Sequence, residues 1–126
     1  MEKMKKLLVL TFALAVVQLG QAQLRNTSWK GTFTVPEETD LVLQFKKDSL
    51  LVTVPDGNET VEIMRYKINN DTLSITKLYG RSSCDEGTAA SYQISIKEKK
   101  LYVSPLKDNC DIRWAAWPKG GLEKIE

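Results

Sequence analysis

The stretch DNCDIRW, residues 108–114, is the densest group of chemically capable side chains in the chain, with two carboxylates, a thiol and a guanidinium. The two carboxylates of a hydrolytic pair must face each other across a cleft. Neighbouring carboxylates such as Asp85 and Glu86 lie instead in a predicted loop, where nothing holds them in that arrangement. Ser82 and Ser83 lack an activating base, because the chain contains no histidine. We therefore expect a protein that is not an enzyme.

The two cysteines, Cys84 and Cys110, have a structural explanation. Two thiols without a histidine do not complete a zinc ligand set, so we expect no metal site and no cofactor. In an exported small domain, two cysteines most simply form a disulfide. Cys84 lies just before a predicted hairpin at 87–105 and Cys110 just after it, so a bond between them would clamp its open end. DNCDIRW is then a clamp, with Asp108 and Asn109 as turn formers.

The N-terminus has the layout of a secretory signal peptide. Lysines at 3, 5 and 6 precede an apolar run at 7–17, which is shorter than the about 20 residues of a membrane-spanning helix. The small residues Gly20 and Ala22 then indicate cleavage after Ala22. We expect residues 1–22 to be removed and residues 23–126 to form one secreted or periplasmic domain without a transmembrane anchor.

The charge balance argues against a polyanionic partner. The chain has 18 basic and 16 acidic residues, but the signal segment contains three of the lysines and Glu2, so the mature domain has equal numbers of each. A neutral domain has no bulk electrostatic attraction for nucleic acid. We therefore expect no nucleic-acid partner.

Apolar and polar residues alternate along most of the mature domain. In SWKGTFTV, for example, Trp29, Gly31 and Phe33 share one face. A period of two is typical of strands with one buried face. The alternation predicts eight strands, at 28–35, 40–46, 49–54, 60–68, 72–78, 87–97, 100–105 and 111–117. Residues 121–125 either extend the last strand or pair separately.

Short polar turns join these segments, which leaves two ways to close the sheet. One is an up-and-down barrel, and the other is a two-sheet sandwich. Successive hairpins favour the barrel, because a sandwich usually needs longer Greek-key connections. We predict an all-β, up-and-down antiparallel barrel of about eight strands with one disulfide.

The mature chain resembles the small lipocalin-like proteins that bacteria export, within the calycin group. The resemblance covers residues 24–126 and rests on SWKG, on hairpins carrying LSI and LYV, and on a late D-x-C-x-x-R formed by Asp108, Cys110 and Arg113. It implies that Trp29 closes the barrel floor and that Arg113, on the last strand, stacks on its ring in a structural role. The alternative is an Arg113 that binds a ligand carboxylate inside a cavity.

The resemblance also implies non-catalytic binding of a small apolar or amphipathic ligand in the barrel. The residues expected to line such a site are Phe33, Phe45, Met64, Tyr66, Tyr92 and Trp114. The alternative is a protein-binding module with a protein partner in the envelope, such as an accessory protein or a periplasmic hydrolase inhibitor. The interior distinguishes the two, because a carrier needs a cavity of about 300 Å³ or more, whereas side chains can fill a small barrel.

The signal-peptide interpretation predicts that the mature protein begins at Gln23. Intact mass measurement of protein recovered from the envelope fraction of its own host tests this. A mass that still includes residues 1–22 contradicts the prediction.

Overall fold

A computed structural model describes residues 21–35, 37–56 and 59–126. The predicted signal segment falls mainly on residues 1–20, outside the described residues. The strands are β1 (Thr27–Thr34), β2 (Glu38–Phe45), β3 (Ser49–Thr53), β4 (Thr60–Asn69), β5 (Thr72–Gly80), β6 (Ala89–Lys97), β7 (Lys100–Asp108) and β8 (Leu122–Ile125). The helices are α1 (Gln21–Leu24) and α2 (Asp111–Ala116). No helix in the described ranges is long and apolar enough to cross a membrane.

Each strand pairs antiparallel with the next, and β8 pairs with β1, so the sheet closes into a barrel. The predicted up-and-down antiparallel barrel is therefore confirmed, and so is its disulfide, between Cys84 and Cys110. The short turns at 46–48, 70–71 and 98–99 lie at one end, together with α1, which we call the α1 end. The longer connections at 81–88 and 109–121 lie at the opposite end with α2, which we call the α2 end.

The alternation in sequence fills the barrel with large side chains. Five of the six side chains predicted to line the interior are buried, namely Phe33, Phe45, Met64, Tyr66 and Tyr92. At the α1 end the rings of Phe45 and Tyr66 meet edge to face with centroids 5.2 Å apart, and the Tyr66 hydroxyl donates to the carbonyl of Lys46. Leu24, on α1, is fully buried there as well. The α1 end is thus closed by packed side chains.

The eighth predicted strand, 111–117, is wrong, because this segment is the helix α2 followed by Trp117. Its buried residues, Arg113 and Ala116, are three apart and share one helical face. Trp114, which was predicted to line the interior, is 45% exposed, and Ile112 on the same helix is 47% exposed. Trp114 is therefore not an interior residue. The strand that closes the barrel is β8, within the 121–125 segment.

The helix forms because the chain reverses at Asp108. The Asp108 carboxylate accepts a hydrogen bond from the amide of Cys110 at 2.8 Å, an arrangement in which the side chain replaces a backbone group of a turn. The amide of Trp114 then donates to the carbonyl of Cys110 at 3.0 Å, which begins the helix. The predicted turn at Asp108 is therefore confirmed, and it directs the chain across the barrel end instead of along β7.

The return from α2 to β8 depends on Gly31. A Cβ built on Gly31 would lie 2.4 Å from the Cδ2 atom of Leu122, which is 1% exposed. The Cγ atom of Pro118 would lie 3.1 Å from the same built Cβ. A residue without a side chain on β1 therefore lets the C-terminal segment pass close enough to bury Leu122.

Replacing Gly31 with alanine should lower the free energy of unfolding by about 1–3 kcal/mol, because the added methyl group forces Leu122 or Pro118 to move. Gly120→Ala is the matched control, since a Cβ at that position meets nothing within 4 Å. Urea unfolding of both variants measures the difference. Equal stabilities would contradict the proposed crossing.

Candidate functional site

Two cationic residues are buried within the described ranges, Lys77 and Arg113, which are 3% and 7% exposed. Both lie at the α2 end, and each has a carboxylate partner: Lys77 pairs with Glu62, and Arg113 pairs with Asp108. A buried charge without a partner is strongly destabilising. Their concentration at one end of an otherwise apolar barrel identifies the candidate site.

Arg113 connects α2 to the last residue of β7 through two hydrogen bonds. Its Nε donates to Asp108 Oδ2 at 2.8 Å, and its Nη2 donates to Asp108 Oδ1 at 2.9 Å. Paired bonds between a guanidinium and a carboxylate add geometric specificity as well as energy. Nη2 also donates to the carbonyl of Thr88 at 3.4 Å. The pair therefore fixes α2 over the barrel end and joins it to the loop at 81–88.

Tyr92 completes the group around Asp108, because its hydroxyl donates to Oδ2. Burial and the hydrogen bond to the Asp108 carboxylate raise the pKa of Tyr92 far above its ordinary value, so the hydroxyl remains a donor. Burial acts to raise the pKa of Asp108 as well. The hydrogen bonds from Arg113, Tyr92 and the Cys110 amide outweigh it, and the net pKa of Asp108 is lowered. Asp108 is thus an ionised carboxylate held among donors.

Lys77 organises the 81–88 loop at the α2 end. Its Nζ donates to the carbonyls of Ser82 at 2.8 Å and Cys84 at 2.5 Å. It lies 3.4 Å from Glu62 Oε1, which also accepts a hydrogen bond from the Ser82 hydroxyl. The lysine therefore holds the start of the 81–88 loop, and the disulfide from Cys84 carries that restraint to α2.

The sequence analysis missed Lys77 and Glu62, although the sequence contains a signal for both. Glu62 precedes Met64 by two residues and Lys77 follows Ile75 by two, so the alternation that turns Met64 and Ile75 inward also turns these charges inward. The pairing of Lys77 with Glu62 could not be predicted from the alternation. A bulge between Ile63 and Met64 shifts the register of β4 against β5 at this point.

A cavity of about 60 Å³ lies inside the barrel beneath α2. Glu62, Ser82 and Arg113 line its polar side. The apolar side chains around it include Phe33, Leu41, Leu43, Val52, Met64 and Ala116. A water molecule needs roughly 10–15 Å³ of such volume. The cavity therefore has room for a few water molecules or one very small organic molecule.

Two donors around this cavity have no protein partner. Nη1 of Arg113 and Nε1 of Trp117 are buried and make no hydrogen bond, and both residues line the cavity. Nε1 of Trp117 faces the Tyr92 hydroxyl without completing a bond to it. Leaving a buried N–H unpaired costs about 1–3 kcal/mol. Protein groups accept from Nε and Nη2 of Arg113, so Nη1 is the donor atom of this guanidinium that has no partner among the described residues.

Trp117 also lines a second, outer groove of about 470 Å³ between α2 and β7. Other residues of this outer groove are Tyr102, Val103, Pro105, Trp114 and Lys119. The Trp117 ring packs against Phe33 and Tyr92 with centroids 5.5 and 5.0 Å apart. The indole is therefore the partition between the interior cavity and the outer groove.

A larger concave surface of about 760 Å³ lies outside the barrel, beside Gly31 and Gly121. Its charged lining residues, such as Lys30 and Glu123, are well exposed and form a long ion pair at 4.0 Å. An exposed pair of this kind contributes little energy. None of the described residues that line this larger surface carries a buried, unpaired polar side-chain atom, so we place the candidate site beneath α2.

The structure separates the residues that the sequence grouped. Phe33 and Met64 line the cavity, and Tyr92 bonds to Asp108 beside it. Phe45 and Tyr66 lie at the α1 end instead.

The predicted stack of Arg113 on Trp29 is wrong. The indole of Trp29 is buried near the α1 end and donates to Thr27 Oγ1 at 2.8 Å. Arg113 lies at the α2 end, because it belongs to α2 and not to the last strand. Arg113 does have a structural role, but its partner is Asp108. Trp29 contributes to the closed floor without an arginine over its ring.

Comparison of the chain with protein-family models, with curated proteins and with solved structures gave no match. The functional argument therefore rests on the geometry beneath α2.

Asp108→Asn should lower the free energy of unfolding by about 3–5 kcal/mol at neutral pH, because the buried Arg113 loses its counter-charge. The folded-state pKa of Asp108 is lowered, so its contribution is present above the unfolded pKa of about 3.9 and is lost as pH falls through the folded value. The variant should therefore lose less stability than the wild type between neutral pH and about pH 3.

Urea unfolding across this pH range measures both effects. The control is Asp111→Asn, which alters an exposed carboxylate in the same segment and should preserve the wild-type stability and pH dependence. An Asp108→Asn variant as stable as the wild type would overturn the assignment of Asp108 as the anchor of α2.

Proposed function

We propose that this chain is an exported, non-catalytic, lipocalin-like binding protein that takes a small apolar or amphipathic ligand beneath α2. The observation that carries the proposal is a mostly apolar cavity lined in part by Arg113, whose Nη1 is buried and has no hydrogen-bond partner among the described residues. Binding sites of this kind combine apolar walls with a few placed polar groups. Export to a secreted or periplasmic location agrees with a disulfide.

The size of the cavity limits the ligand. At about 60 Å³ it is far below the roughly 300 Å³ of a site for a drug-sized molecule. A ligand of a few heavy atoms fits without rearrangement. A longer one requires the Trp117 indole to move, which would join the cavity to the outer groove. Trp117 is suited to such a movement because ring packing holds it and no hydrogen bond fixes its Nε1.

The same geometry argues for binding without catalysis. Asp108 receives hydrogen bonds from Arg113 and Tyr92, and Glu62 receives one from Ser82 beside Lys77. A general base needs a pKa near the working pH and access to the substrate proton. A lowered pKa and full engagement with donors make Asp108 a weak base.

Titration with a series of straight-chain alcohols, from propanol to octanol, tests the proposal. We expect a saturable change in the NMR signal of the Met64 methyl group, because Met64 lines the cavity. Trp117→Ala should extend the series that binds, and each methylene newly accommodated should tighten binding about fourfold, from about 0.8 kcal/mol per methylene.

The matched control is Tyr79→Ala, which removes an exposed aromatic ring on β5 away from the cavity and the outer groove and should bind the alcohols as the wild type does. Absence of any saturable change at Met64, or changes confined to the outer surface around Gly31, would contradict the proposal.

A second candidate is a protein-binding module, such as an envelope accessory protein or a hydrolase inhibitor. The filled interior favours it, together with three exposed apolar side chains in one segment, Leu106, Ile112 and Trp114. Exposed tryptophans often anchor interfaces. Crosslinking in the host envelope should then recover a partner with the wild type and with Tyr79→Ala, an exposed control on β5, but not with Trp114→Ala. Equal recovery by all three would exclude this surface.

A further inference from the structure

We infer that the group recognised by Arg113 in the cavity is a neutral hydrogen-bond acceptor, such as a ketone, ester or amide oxygen, and not a carboxylate. The inference rests on the proposed function and specifies the chemistry of its ligand. It follows from the charges around the cavity and from the donors of Arg113 that protein groups leave unused.

The positive charge of Arg113 is already balanced. Asp108 accepts from both Nε and Nη2 of the guanidinium, at 2.8 and 2.9 Å. The side chains of both partners are buried, at 8% and 0% exposed. A second carboxylate brought into this site would carry an additional negative charge with no additional cation to balance it. In a site of low dielectric, an unbalanced charge costs several kcal/mol.

The other charges at the α2 end do not compensate for a ligand carboxylate. Glu62 lines the same cavity and would repel it. Lys77 does not line the cavity, and its ammonium group donates to the carbonyls of Ser82 and Cys84 and lies beside Glu62. Tyr92 has a raised pKa and uses its hydroxyl hydrogen on Asp108. A neutral acceptor avoids these costs, because it brings no charge.

The donor that remains is well defined. A guanidinium has five N–H groups. The one on Nε and the two on Nη2 point to Asp108 and the Thr88 carbonyl. Nη1 is buried and has no hydrogen-bond partner among the described residues, and the side chain that carries it lines the cavity. A carbonyl oxygen bound there satisfies a donor that otherwise remains desolvated, which is a larger gain than an exposed hydrogen bond gives.

The rest of the ligand must be short and apolar. The walls away from Arg113 come from Phe33, Leu43, Val52 and Met64, which offer no donors from their side chains. The ligand class that matches both parts is a short alkyl chain attached to a neutral carbonyl. Butanone is a suitable probe, and propanoate is its matched anion, because the two have nearly the same shape and differ in charge.

The experiment is an NMR titration of the full mature protein at neutral pH with each probe. We expect butanone to shift the guanidinium N–H signals of Arg113 and the indole N–H of Trp117 in a saturable way. The indole signals of Trp29, which is bonded to Thr27, and of Trp114, which is exposed, should not move. Propanoate should bind at least tenfold more weakly than butanone.

Arg113→Lys preserves the charge opposite Asp108 but removes the Nη1 donor, and should weaken butanone binding about three- to tenfold. Trp117→Phe gives a second comparison if the lysine variant does not fold. This variant keeps a ring between Phe33 and Tyr92. Its Arg113 signals should still respond to butanone.

The outcomes separate this inference from the proposed function. Tighter binding of propanoate than of butanone, or saturable butanone binding without any response at Arg113, would overturn the neutral-acceptor inference while the alcohol titration still supported a ligand site. Failure of the alcohols, butanone and propanoate alike to produce a saturable change would overturn both.

Discussion

The ion pair between Arg113 and Asp108 is the interaction on which the α2 end depends. β7 ends at Asp108. The bond from Arg113 back to this residue holds the following segment across the barrel opening. Two hydrogen bonds to one carboxylate set the position and the orientation of α2 together. Trp117 follows directly after α2, so the same pair places its indole between Phe33 and Tyr92. The interior cavity exists because this cover lies over it.

Covalent and ionic restraints reinforce one another around this pair. The disulfide joins Cys110, at the start of α2, to Cys84 in the 81–88 loop. Lys77 holds the same loop by donating to the Cys84 carbonyl. The proposed site is therefore rigid on its polar side. On the side of Trp117, ring packing against Phe33 and Tyr92 holds the indole, and in our proposal this is the wall that moves to admit a ligand.

The sequence predicted the barrel because each strand has a local signal, an apolar face of period two bounded by polar turns. The same rule failed at Ile112 and Trp114, where alternation arises by coincidence and the buried pair is instead Arg113 and Ala116 at helical spacing. The conformation of residues 111–117 is set by contacts with residues outside this segment. The partner of Arg113 could not be inferred from the resemblance to lipocalins, since it depends on where β7 ends and on the turn at Asp108. Five of the predicted lining residues are buried because they follow the alternation, and of these Phe33 and Met64 line the cavity. The cavity volume depends on packing that no pattern encodes.

The most direct test of this account is a double-mutant cycle on the pair, with Asp108→Asn, Arg113→Gln and the combined variant unfolded in urea. Buried partners that bond directly should show a coupling free energy of about 2–3 kcal/mol, with the double variant more stable than the sum of the single losses implies. Additive losses would mean that Asp108 and Arg113 act independently, and that another interaction holds α2 over the barrel.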